Sequence, residues 1–444
     1  MRTTLSGILI LTLVGTQAPA QTLPGLDTTT FVVMGEGLAA GMGNFGLSST
    51  LQQYSFPAQM AAQMQTAFPQ PLIQPPGIGD VVGYPPQDVR YPTYPQGAVR
   101  QFYQPKPTDI PAPPLFVLNL SVPGLTLTDS LVRVPVPPVM QTDMTQTVFN
   151  LILGFPQLFF YRQVPLWSQL QYAENMNPTM ALVELGYFEA LNAAVDGNPA
   201  EMPDATTFGK NYGTVVAGLR GLQAQVICTT IPNPIDTAYF NSVTATAAIT
   251  ATVPFVISAG YHVGAGDYVT RNGLMAISNQ FTNGAIAPLP DGSVLPAATA
   301  AQITANVNAL NAQIVSVAKA NGALVYDLNA FLHNVKVNGV TIQKTIPSGT
   351  TASGTLGTGN QTLNGDYLGG FYTLDGVYPG ATAHTLIAND ILSFLNKTYS
   401  RNFPLISIPT VSVNDPISQV QRPTGALHTA ASLGLTEGES RRRP

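Results

Sequence analysis

Three acidic residues stand beside glycines or aromatic residues at the ends of apolar runs. They are Glu36 in Gly35-Glu36-Gly37, Glu189 in Gly186-Tyr187-Phe188-Glu189, and Asp375 in Asp375-Gly376-Val377-Tyr378-Pro379. Carboxylates brought to one rim can exchange a proton or hold a hard cation. The same groups can also serve only as hydrogen-bond acceptors for the turns that carry them, and this plainer role is the expected one. Loop serines Ser48 and Ser49 follow the first turn as substitute nucleophiles, although a serine there is usually only solvated. His384 opens a terminal helix, where packing or capping is expected of it, and His262, His333 and His428 have no metal-site spacing. Cys228 is the only cysteine, which leaves no internal disulfide and no thiolate zinc site. Gly264-Ala265-Gly266-Asp267-Tyr268 reads as a turn and lacks a strand–helix phosphate pattern, so no cofactor is implied. Asn119, Asn360 and Asn396 begin Asn-x-Ser/Thr triplets.

The elements that must position these groups follow from periodicity. Phe31 to Met34 is a short apolar run ending in glycines, as expected of a buried strand. Leu115 to Leu118, closed by Val122-Pro123-Gly124, reads as a second strand, Ala181 to Leu185 as a third and Ala224 to Thr230 as a fourth. Ala323 to Tyr326 reads as a further strand. Helices are expected over 56–68, from a cap at Asp204 or Thr206 to about 222, over 301–320 and over 381–396. Such alternation implies a parallel sheet with right-handed crossovers, whose ligand site lies outside the carboxyl ends of the strands. The four turns that hold Glu36, Gly124, Glu189 and Asp375 meet that description.

Only 9% of the 444 residues are charged, against about 25% in typical soluble chains. Binding to nucleic acid by phosphate neutralisation is therefore excluded, and the surface must be covered by uncharged polar residues and proline. Residues 69–114 hold thirteen of the 38 prolines, which marks one long insertion without regular helix or central strand. Arg2, the apolar stretch Leu5 to Gly15 and Ala18-Pro19-Ala20 read as a secretory signal cleaved before Gln21, with export to the periplasm or medium. That apolar stretch is too short to span a bilayer, and the uncharged stretch 245–264, broken by Pro254, reads as strands or loop. From Pro409 onward periodicity is lost, so 409–444 is expected to be a solvated tail behind one decorated domain over 21–408.

Taken together, these stretches resemble the SGNH/GDSL hydrolases, a family of esterases, lipases and carbohydrate deacetylases. Phe31 to Gly41 is similar to the family's first block, Asn119 to Gly124 to the second, Ala181 to Leu191 to the third and Leu374 to Asn389 to the fifth, in order. The resemblance implies a three-layer α/β/α, flavodoxin-like fold. It also implies that Gly124 and Asp375 match family roles, as oxyanion-hole glycine and triad acid. Gly37 stands at the position of the family's nucleophilic serine, Phe188 at that of its oxyanion asparagine, and Tyr378 at that of its histidine. A serine esterase needs a nucleophilic hydroxyl, a base and oxyanion donors. Gly37 has no hydroxyl, Phe188 has no side-chain donor, and a tyrosine, with an unperturbed pKa of about 10, is a poor base at neutral pH. The expectation is an exported relative without serine-esterase activity. Its cleft, bounded by Glu36, Gly37, Gly124, Phe188, Glu189 and Tyr378, would bind an ester, lipid or glycan. The alternative is an ester hydrolase with a rewired site. A purely structural protein would instead have that cleft filled by side chains.

Overall fold

Phe31–Gly35 forms β1, Met180–Glu184 β2, Gln225–Thr229 β3 and Leu324–Tyr326 β7 of one parallel sheet, in the order β1-β2-β3-β7. Every residue of β1 and β2 is buried, which requires cover on both faces and explains their continuous rather than alternating apolar pattern. The protein is thus mixed α/β around a four-stranded parallel sheet. The computed structural model describes residues 25–73, 75, 77–79, 117–154, 158, 166–284, 286–346 and 357–419. The expected signal segment and most of the Pro-rich insertion lie outside these residues.

Residues 117–122 run parallel beside the free edge of β1 but do not make the regular strand expected from 115. Val33 N–H donates to the Leu118 carbonyl (2.9 Å), Leu120 N–H to the Val33 carbonyl (2.9 Å) and Val122 N–H to the Gly35 carbonyl (3.1 Å). Asn119 uses its own side-chain oxygen to accept the Ser121 N–H, a local bond that competes with regular ladder geometry.

Helix Ala205–Gly221 starts where Asp204 accepts the N–H groups of Thr206 and Thr207, which makes Asp204 its cap. It packs with helices Ala297–Ala320, Leu127–Val132 and Gln169–Asn175, while Phe56–Gln63 packs with Ala381–Tyr399. Pro57 sits in the first turn of Phe56–Gln63, where its missing N–H costs nothing.

Gly380, the cap residue of Ala381–Tyr399, has no side chain with which to hold that helix's first N–H groups. Asp415 supplies the missing acceptor, taking the Thr382 N–H at 2.8 Å and the Ile417 N–H at 3.0 Å. For 409–419 this differs from the expected solvated tail, and the rest of that tail, 420–444, lies outside the described residues. Short helices Ile408–Ser412 and Pro416–Gln419 fold back, burying Ile417 and Ser418. Asp415→Ala should cost about 1 kcal/mol of stability, as helix caps do. Hydrogen exchange should then show faster exchange across 408–419, with helix 205–221 unaffected.

The chain between β3 and Ala297 also differs from expectation. Strands β4 (Phe240–Ser242), β5 (Tyr268–Thr270) and β6 (Val294–Leu295) form a small antiparallel sheet. Within 245–264, read as strands or loop, Ser242 caps helix Val243–Ile249 and a π-helical turn follows at Val256–Gly260. Antiparallel β8 (Val340–Ile346) and β9 (Gly357–Leu363) form a separate ribbon. Among the described residues no helix is long and apolar enough to cross a membrane.

Candidate active site

β1 ends at Gly35, and Glu36 turns the chain into the short helix Gly37–Ala40 by accepting the Leu38 N–H at 3.0 Å. Glu184, the last residue of β2, lies against the same turn. Its Oε2 accepts the N–H groups of Glu36 and Ala39, each at 3.2 Å. Only a glycine fits at 35, because a Cβ there would lie 2.7 Å from the Ala39 Cβ and 2.8 Å from the Ser121 Oγ. Gln169 Nε2 donates to the Gly35 and Leu120 carbonyls, both at 2.8 Å, and so ties residues 117–122 to the end of β1.

Glu189 lies in the first turn of helix Tyr187–Asp196. Its Oε1 accepts the Leu127 N–H at 2.6 Å, linking the turn after β2 to the one that contains Gly124. Gly124 has φ of +79°, and a Cβ there would meet Thr145 Oγ1 at 2.8 Å. Phe188, in the same first turn as Glu189, is half-buried against the apolar core and offers no donor for an oxyanion. Asp375 is fully buried and occupied with backbone. Its Oδ1 accepts the Val377 and Tyr378 N–H groups at 2.8 and 3.0 Å, and its Oδ2 accepts the Phe45 N–H at 3.1 Å.

Tyr378 closes the cluster. Its ring lies edge-on to Tyr187, with centroids 6.4 Å apart, and its hydroxyl donates a long hydrogen bond (3.4 Å) to Glu36 Oε2. A Cβ added at Gly37 would lie 2.6 Å from that hydroxyl oxygen and 2.7 Å from the ring carbon bearing it. The tyrosine therefore fills the space that any side chain at 37 would need. Glu36, Gly37, Asp375 and Tyr378 do come together, but as packed core: Glu36 and Asp375 are 0% and Tyr378 2% exposed. The structure departs here from the expected open cleft.

Burial governs the electrostatics. It pushes the Glu36 carboxyl up to about 7, with Glu189's charge adding to the effect, and it pushes Glu189 up to about 7. Burial also raises Glu184 well above the usual carboxylate range, helped by the facing charge of Glu36. Desolvation likewise raises Asp375. The Tyr378 phenol is raised further from neutral pH by burial, so it is a proton donor and not a base. His384, set one helical turn beyond Gly380, is fully buried and stacked on Phe56 (6.1 Å), and burial lowers it to about 3. It is a neutral packing residue, as expected.

Because Glu36 and Glu189 titrate higher folded than unfolded, the folded chain holds protons that the unfolded chain has released. Their contribution is fully present below about 4.5 and is lost as pH rises through about 7. Glu189→Gln should flatten this decline and raise stability at pH 8 by roughly 2 kcal/mol, while changing little at pH 4.5. Chemical denaturation at the two pH values measures the difference.

Glu184 and Gln169 did not stand out in the sequence as site residues. An acid inside the apolar run Ala181 to Leu185 was the available signal for Glu184, whereas nothing in its spacing marks Gln169. Ser48 and Ser49 are half-buried, Ser49 as the first residue of the short helix Ser49–Gln52 and Ser48 as its cap residue, which makes no side-chain cap bond. Asn119 is buried, its amide donating to the Ala39 carbonyl and Gln70 Oε1, and the Asn396 amide donates to the Phe403 carbonyl. Both are engaged in structure, and His428 lies outside the described residues. His333 pairs with Asp236 at the surface. No group of three metal-ligating side chains occurs among the described residues.

No family model, no curated protein and no solved structure matches this chain.

Proposed function

We propose that this is an SGNH/GDSL-type protein, exported and non-catalytic, whose hydrolase centre is closed by Tyr378. Support for the fold comes from spatial order. With residues 117–122 counted beside β1, the parallel segments run second-first-third-fourth-fifth, the flavodoxin-like order. Support also comes from the two helix sets, which suit a three-layer α/β/α arrangement, and from Gly124 and Asp375 at the turns where the resemblance expects them.

The observation that carries the functional reading is the 2.6 Å approach of a residue-37 Cβ to the Tyr378 hydroxyl. A serine at 37 and a tyrosine at 378 are sterically incompatible in this backbone, so the two departures from the family pattern are one coupled change. Asp375, the remaining acid, serves as a backbone knot and orients no imidazole. A ligand of the ester, lipid or glycan class would then sit away from this centre, and the cluster itself would act as structure. A serine-directed fluorophosphonate provides the test. The unmodified chain should take up no label, and stoichiometric labelling at Ser48, Ser49 or any other serine would favour the rewired hydrolase.

A further inference from the structure

Carboxyl groups hold much of the segment 36–47, which leads from the end of β1 to helix Ser49–Gln52. Glu36 accepts the Leu38 N–H and the Tyr378 hydroxyl, Glu184 accepts the N–H groups of Glu36 and Ala39, and Asp375 accepts the Phe45 N–H. The charge of Glu189 acts on both Glu36 and Glu184.

Two observations make this hold conditional. The first is charge. Glu36, Glu184 and Glu189 are 0%, 1% and 9% exposed, and none of them makes a salt bridge. Among the described residues, salt bridges join only Arg133 to Asp129 and Asp143, His333 to Asp236 and Lys336 to Asp366. Like charges buried together without a cation are costly unless protons neutralise them. The N–H donors favour ionised carboxylates, but burial outweighs them at all three glutamates. Tyr378 and Asp375 face the cluster from the turn 373–378, and Tyr187 and Asp129 face it from the two neighbouring helices, with Tyr372 beside Tyr187. Arg271 brings a cation near the segment, but its guanidinium lies over the Phe45 ring, 5.5 Å from the centroid, and the Tyr367 ring, 5.6 Å. The second observation is strain. Asn44 and Phe45 have φ of +50° and +71°, a left-handed conformation that an aromatic residue rarely adopts. Strain of this kind collects in switch segments, where its release favours the opened form.

We propose that Glu36, Glu184 and Glu189 form a proton-held latch. While they keep their protons, segment 36–47 and Tyr378 stay closed over the centre; when they ionise, the segment opens as a unit while the four-stranded sheet stays folded. The sign follows from linkage. Below about 4.5 the closed and opened forms are both protonated, and between about 4.5 and about 7 only the closed form keeps its protons. Opening therefore rises with pH across that window and levels off above it. The latch depends on the carboxyl cluster and not on kinship to a hydrolase family, and it operates whether or not esters are turned over.

Native-state hydrogen exchange of the full chain between pH 5 and 7.5, corrected for intrinsic rates, tests it. Exchange in 37–45 should quicken about a hundredfold or more over this range and be indifferent to low urea. Residues 225–229 of β3, inside the sheet, should exchange more slowly and respond to urea, since they report unfolding of the whole chain. Glu36→Gln and Glu189→Gln should each remove about tenfold or more of the quickening. Exchange in 37–45 as slow and as urea-sensitive as in 225–229 would overturn the proposal, because the segment would then open only with the whole chain. So would a pH response left undiminished in both folded variants.

Discussion

Gly37→Ser is expected to lower stability by about 3 kcal/mol in the otherwise unchanged chain, and by about 1 kcal/mol or less when Tyr378→His accompanies it. The cause is local. A serine Cβ would enter the space 2.6 Å from the Tyr378 hydroxyl, and the ring cannot withdraw because it packs edge-on to Tyr187 and reaches Glu36. Overpacking a core typically costs 1–3 kcal/mol, and here a hydrogen bond to a buried carboxyl is disturbed as well. Tyr378→His alone should also destabilise, through the void left by the larger ring. The double variant should therefore be about 2 kcal/mol more stable than the sum of the single losses predicts. A urea-unfolding double-mutant cycle measures this coupling, and strictly additive losses would show that residues 37 and 378 do not share one space.

Asp375→Ala should be the most damaging single change in the cluster, at about 4 kcal/mol. The side chain holds three backbone N–H groups, from Phe45, Val377 and Tyr378, at a site with no exposure. Leaving several buried donors without acceptors costs about 1–3 kcal/mol each before relaxation. Asp375→Asn keeps one acceptor oxygen but presents an amide to the other donors, so about half that loss is expected. Thermal unfolding of the two variants against the parent gives the comparison. A loss under about 1 kcal/mol for Asp375→Ala would mean that the turn 373–378 is held by other contacts.

Much of the scaffold was legible because its signals are periodic or continuous. The apolar runs of β1, β2 and β3 are buried on both faces, and helices 205–221, 297–320 and 381–399 carry a repeating apolar stripe. Residues 117–122 were less legible, since a run of apolar residues does not disclose that Asn119 takes a neighbouring N–H for itself. The helices in 243–260 lay within an uncharged Thr- and Ala-rich stretch with no stripe to mark them. The fold-back of 408–419 rests on Asp415 reaching a helix that begins at Ala381, a tertiary contact without local pattern.

For the site, residue types pointed to Gly37, Phe188 and Tyr378 as departures from a hydrolase pattern. They could not show that the first and last of these fit one another. That fit is a distance between residues more than three hundred positions apart in the chain. The role of Glu184 was hidden in the same way, because its two N–H partners belong to the turn after a different strand.

Hydrolysis of short-chain aryl esters by the unmodified chain, beside a Gly37→Ser/Phe188→Asn/Tyr378→His variant, tests the closed centre most directly. The unmodified chain should show no turnover above a heat-inactivated control, with any activity confined to the triple variant. Turnover by the unmodified chain well above that control would contradict it.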